Sequence, residues 1–97
     1  MDQMKRGTMI ASLSYLEIAL QNASSGCGYT MYGAVIGGTI QFKSTGAGQI
    51  IYTATLDVSG SEPIIVLARY DISSTALAEI ARKLTEKYGL NQFIHLT

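Results

Sequence analysis

Residues 63–96 read PIIVLARYDISSTALAEIARKLTEKYGLNQFIHL, and this stretch decides the fold. Pro63 to Tyr70 carries Ile64, Ile65, Val66, Leu67 and Ala68 in succession. A run apolar on both faces predicts a central strand, or one covered on both sides. The period then becomes helical. Leu77, Ile80, Ala81, Leu84 and Tyr88 fall on one stripe of a helix over 73–88. Ser73 is placed as its N-cap, with Ile72 and Leu77 at the positions of a hydrophobic staple. Arg82, Lys83 and Lys87 gather towards its C-terminal end, where the helix dipole favours cations. Gly89 suits the residue after the helix, and Leu90 can close the Schellman contact. Phe93, Ile94 and Leu96 then make a last strand. Strand, helix, strand predicts a right-handed crossover with the two strands parallel. The last strand is expected beside the first strand of the sheet.

Upstream, Gln49 to Asp57 alternates, with Ile50, Tyr52, Ala54 and Leu56 facing one way and Thr53, Thr55 and Asp57 the other. Tyr29 to Lys43 reads as one long strand interrupted at Gly37-Gly38. Its residues Tyr32, Ala34, Ile36, Ile40 and Phe42 form one apolar face. Paired glycines there predict a bulge, a bend or a close backbone approach. Ser44 to Gly48 and Ser59 to Ser61 read as turns. A first helix follows Thr8 as cap, with Met9, Leu13, Leu16 and Leu20 in its stripe and Ile10 and Ala19 widening it. Ser24-Ser25-Gly26 ends it.

The fold class expected is α+β in the order α-β-β-β-α-β. The sheet is mainly antiparallel, the last strand parallel through the helical crossover, and both helices on one face. The other face, carrying Thr53, Thr55 and the odd side of strand 63–70, is then free to meet a second subunit. With 97 residues the chain reads as a single domain, 1–97. Helix, three strands, helix over residues 9–88 resembles the order of a double-stranded-RNA-binding domain. The resemblance implies a lysine-rich start to the second helix. This chain has Ser73-Ser74-Thr75-Ala76 there, so the family's phosphate grip does not carry over.

Lys+Arg and Asp+Glu number 7 each, so the net charge is zero, which argues against nucleic acid as a partner. Charged residues are 14% of the chain, below the ~25% of an average domain. Low charge favours self-association, and a homodimer is expected. One Cys excludes an intrachain disulfide and fits a reducing compartment, the cytoplasm. No apolar run is long enough to span a membrane, and Ser12, Ser14 and Glu17 break up any leader-like segment.

The residues offer no catalytic constellation. Cys27 follows a helix C-terminus, where the dipole disfavours a thiolate, and His95 is its one possible histidine partner. One histidine is too few for a zinc site. Ser44-Thr45-Gly46-Ala47-Gly48 lacks the lysine ending of a phosphate loop and joins two strands. No cofactor and no metal are expected. Six tyrosines are many for this length and suit interfaces. Tyr29, Tyr32, Tyr52 and Tyr70, with Arg69, Ser73 and Ser74 at the second helix start, form the expected partner-binding set. The function expected is that of a small self-associating interaction protein, an accessory or inhibitory protein acting on a protein partner. Proteins of this size and kind include those of phages and mobile elements. The alternative is a small-molecule or nucleotide binder with its site between subunits.

Overall fold

The computed structural model describes residues 12–88 and 93–97. Its elements are α1 (Leu13–Ala23), β1 (Met31–Ile36), β2 (Thr39–Ser44), β3 (Ile50–Asp57), β4 (Ile64–Arg69), α2 (Ser74–Tyr88) and β5 (Phe93–Leu96). They build one sheet in the order β1-β2-β3-β4-β5. All neighbours are antiparallel except β4 and β5, which pair in parallel from Ile64↔Phe93 to Leu67↔Leu96. Both helices cover one face. The α+β class and the parallel crossover are as the sequence predicts.

The last strand is not beside the first. β5 lies along β4, and β1 forms the opposite edge. A strand apolar on both faces is stabilised by two neighbours, because each buried N–H and C=O then finds a partner. β5 supplies that second neighbour.

Residues 29–43 are two strands. Gly37 (φ 56°) and Gly38 (φ 82°) both take left-handed conformations and make the two-residue turn of a hairpin closed by Ile36↔Thr39. The turn reverses parity. Ile40 and Phe42 are buried beneath the helices, whereas Tyr32, Ala34 and Ile36 point to the opposite face rather than sharing theirs. A fourth antiparallel strand before α2 also separates this order from that of a double-stranded-RNA-binding domain.

α2 starts as its sequence dictates. The Ala76 N–H donates to Ser73 Oγ at 3.1 Å, and Ile72 and Leu77 are both buried. α1 starts later than its periodicity suggests. Ser12 is extended (φ −136°, ψ 145°), and its hydroxyl accepts from the Tyr15 N–H, so the hydroxyl caps the helix here. The Thr8 cap, the Met9 and Ile10 positions, the Tyr88 side chain and the Gly89–Leu90 ending lie outside the described residues.

Leu16, Ala19 and Leu20 of α1 and Leu77, Ile80 and Leu84 of α2 form the core with Ile40, Phe42, Tyr52, Ala54, Ile65 and Leu67 of the sheet. The cross-strand pair Phe42↔Tyr52 stacks its rings, with centroids 4.6 Å apart at 15°. The Tyr52 hydroxyl meets Ser24 Oγ at 2.7 Å, just past the end of α1. Burial pushes the Tyr52 phenol up, and the Ser24 bond offsets only part of that. Ser24→Ala is expected to cost about 1–3 kcal/mol, because it strands a buried hydroxyl. Adding Tyr52→Phe removes the stranded group. The double variant is therefore expected to lose less than the two single losses combined, by denaturant titration. Simple additivity would show that the bond contributes nothing.

Candidate functional site

The candidate site is the face of the sheet that neither α1 nor α2 covers. Cross-strand register places its residues row by row. Ala34, Gln41, Thr53 and Ala68 lie side by side, and so do Ile36, Thr39, Thr55, Val66 and His95. Tyr32, Lys43 and Ile50 complete it at one end, and Asp57 and Ile64 at the other. The odd residues of β4, Ile65 and Leu67, are fully buried on the helix side. It is the even ones, Ile64, Val66 and Ala68, that join Thr53 and Thr55 here. Pairing Leu67 with Ala54, beneath the helices, sets that phase.

A solvated antiparallel face is ordinarily rich in charge. The acidic and basic side chains of this face among the described residues are Lys43, Asp57 and His95, all towards its margins. Its middle is Thr, Ala, Val and Gln. Thr53 is only 9% exposed although neither α1 nor α2 lies over it. Asp57 accepts from the Ser59 N–H at 3.0 Å and from the Ser59 hydroxyl at 2.7 Å, which holds its carboxyl below the usual range. The carboxylate closes a turn and keeps its charge at neutral pH.

The seven residues expected to meet a partner do not gather. Tyr52 is fully buried, because it pairs with Phe42 and Arg69 on the helix side. It is a core residue, with no surface to offer. Tyr29 is half-buried against the core. Arg69 turns back, donating from Nη1 to the Ile72 carbonyl at 3.1 Å. Ser73 is occupied as the cap of α2, and Ser74 lies exposed in the first turn. Tyr32, 44% exposed, and Tyr70, 61% exposed, stand at the same end of the sheet. Lys43 and Ile50 lie between them. Tyr70 and Ile50 line a shallow groove of about 530 Å³ with Gln49 and Asp71.

Two further grooves flank the end of α1. One of about 440 Å³ is lined by Asn22, Ala23, Ser25, Lys83 and Lys87. The other, of about 350 Å³, lies beside Tyr29 and Gln21. The lysines line the groove at the C-terminal end of α1, where the helix dipole favours cations, so a structural role accounts for them. Cys27 follows α1, which packs on β1 and β2, while His95 lies on β5 at the far edge. Residues 44–48 form the β2–β3 hairpin loop, closed by Ser44 N–H to Gln49 O at 2.8 Å. Among the described residues no three His, Cys, Asp or Glu gather to hold a metal ion. No described helix is long and apolar enough to cross a membrane.

Periodicity placed Thr53 and Thr55 on the open face but assigned it the odd side of β4 and put Tyr32, Ala34 and Ile36 on the other, because the β4 register and the Gly37-Gly38 turn are pairing properties. It also missed Gln21, whose Nε2 donates to the Met31 carbonyl and whose Oε1 accepts from the Gly33 N–H, both at 3.2 Å. Nothing in the spacing of a lone glutamine on a helix announces such a contact.

Fold and site together define an α+β protein with two helices on one face of a five-stranded sheet and a near-neutral opposite face. No family model matches the chain, and no curated protein or solved structure matches it either.

Proposed function

We propose that the chain is a non-enzymatic interaction protein that forms a dimer through its open sheet face and acts on a protein partner as an accessory or inhibitory subunit. The support is the open face itself, which neither α1 nor α2 covers, which is nearly uncharged, and whose middle is Thr, Ala, Val and Gln. Five strands spaced ~4.8 Å apart, each about six residues long, give a footprint of about 24 by 20 Å. With its tyrosine margin this lies near the lower end of stable interfaces. Two sheets facing each other at ~10 Å make a sandwich core.

Charge placement supports a second copy as the occupant. Lys43 lies at one end of the face and Asp57 at the other, on neighbouring strands. A two-fold axis between the faces, running across the strands, inverts strand direction. It brings Lys43 of each copy towards Asp57 of the other. The contact is then self-complementary, as a two-fold interface requires.

Thr55, half-buried at the centre of the face, supplies the test. The wild-type chain is expected to sediment as a dimer at micromolar concentration. Thr55→Lys places two like charges in one dry contact and is expected to weaken association at least ~100-fold while leaving the thermal melt of the monomer unchanged. A wild-type monomer at ~100 μM, or a Thr55→Lys dimer of unchanged affinity, would overturn the reading.

A further inference from the structure

β1 is an edge strand of the sheet. Ile36 and Thr39 flank a two-residue turn, so they form a hydrogen-bonded pair, and Ile36, Ala34 and Tyr32 direct their backbone groups to β2. Met31, Gly33 and Val35 then direct theirs outward. At this edge Gln21 of α1 donates from Nε2 to the Met31 carbonyl and accepts at Oε1 from the Gly33 N–H, each at 3.2 Å. One amide thus bonds the carbonyl before Tyr32 and the N–H after it. That is the pattern of one residue in a parallel neighbouring strand. The side chain stands where a sixth strand would run.

Edge strands are usually guarded by Lys, Pro or a bulge. β1 reads MYGAVI and pairs with β2 without a register shift, so it carries none of these. Its guard is Gln21. Beyond that amide the Glu17 carboxylate of α1 approaches Gly33, and the rest of the edge is apolar. Val35 is 47% exposed, and Ile18, three residues before Gln21 on α1, is 59% exposed.

We propose that the β1 edge docks an extended segment of a partner protein, which adds as a sixth strand parallel to β1 and displaces the Gln21 amide. Its backbone takes over the bonds to Met31 and Gly33 and continues to Val35. Its apolar side chains lie over Val35 and Ile18. A second copy of this chain is not the occupant, because two copies meeting edge to edge across a two-fold axis pair antiparallel. The Gln21 contact is preset for a parallel strand. The proposal rests on the reading of the chain as an interaction protein and names the kind of segment it takes.

The test is panning of a displayed library of random twelve-residue peptides against the wild-type protein, with counter-selection on Val35→Pro. That substitution removes an outward N–H, and edge strands accept proline there. A thermal melt verifies that the variant is folded. The expected result is a set of neutral peptides with alternating apolar residues that bind wild type and fail on Val35→Pro. Gln21→Ala, which removes the competitor, is expected to bind them about threefold to tenfold more tightly. Amide exchange at Val35 is expected to slow on binding. The proposal is overturned if no sequence is enriched over counter-selection, or if binding is indifferent to Gln21→Ala and Val35→Pro. Thr55→Lys reports on the sheet face and Val35→Pro on the edge, so failure here and failure of the dimer reading are told apart.

Discussion

Phe42→Ala is expected to lower the stability of this chain by about 3–5 kcal/mol, measured by urea titration at neutral pH. The Phe42 ring is fully buried, stacks on Tyr52 at 4.6 Å and lies on β2 beneath α1. Its loss removes apolar area from the centre of the core and leaves a cavity that a sheet cannot easily collapse into. Domains of this size hold only about 5–15 kcal/mol in reserve, so the variant is expected to approach its unfolding midpoint at moderate urea. Phe42→Leu, which keeps most of the volume, is expected to lose less than half as much. Equal losses for the two variants would mean that the ring stack is not what holds this part of the core.

Gly33→Val is the second large effect, expected at about 3 kcal/mol, with α1 as the element that gives way. Gly33 sits on β1 opposite Phe42, on the face that α1 covers. A Cβ at Gly33 would come within 2.9 Å of Phe42 Cε1 and 3.3 Å of Glu17 Oε2. The Phe42 ring cannot yield, being held by its stack on Tyr52. Glu17 can move, but α1 must then lift from the strand. Valine adds two further methyls to that overlap. Loss of amide protection over Leu16–Ala23 ahead of the strands is the expected signature in native-state exchange. If the strands lose protection first, the clash is being absorbed within the sheet. Gly33→Ala, with the Cβ alone, is expected to show the same order of opening at a smaller cost.

These two residues show how much of the fold was legible. The alternation put Ile40 and Phe42 on one apolar face but wrongly added Tyr32, Ala34 and Ile36 to it, whereas α2 was readable nearly to the residue from Ser73, Ile72 and Leu77. The conformation of Gly33 needs no glycine, since its φ is not in the left-handed region. Its requirement comes from a ring on the next strand, which lies nine positions away. Tyr52 illustrates the same limit for the site. Tyrosine suits an interface and a core equally well, and the pairing with Phe42 beneath the helices, with the Ser24 hydroxyl at 2.7 Å as partner, decides that this one belongs to the core.

Local rules determined the elements themselves. Helical spacing, an N-cap and staple, alternation along Gln49–Asp57 and a doubly apolar strand at 64–69 are each properties of a few neighbouring residues, so the one-dimensional pattern carries them. The α+β class and the parallel crossover follow from their order. Pairing decided the rest. Whether Gly37-Gly38 bent one strand or joined two depended on both glycines taking positive φ. That turn set which of Tyr32, Ile36, Ile40 and Phe42 shared a face. β5 went to β4 because an apolar strand leaves backbone groups unpaired on any side without a neighbour. The open face and the Gln21 clamp on β1 then followed from register and from the docking of α1. Those contacts join residues distant in the chain, whose energies no local periodicity records.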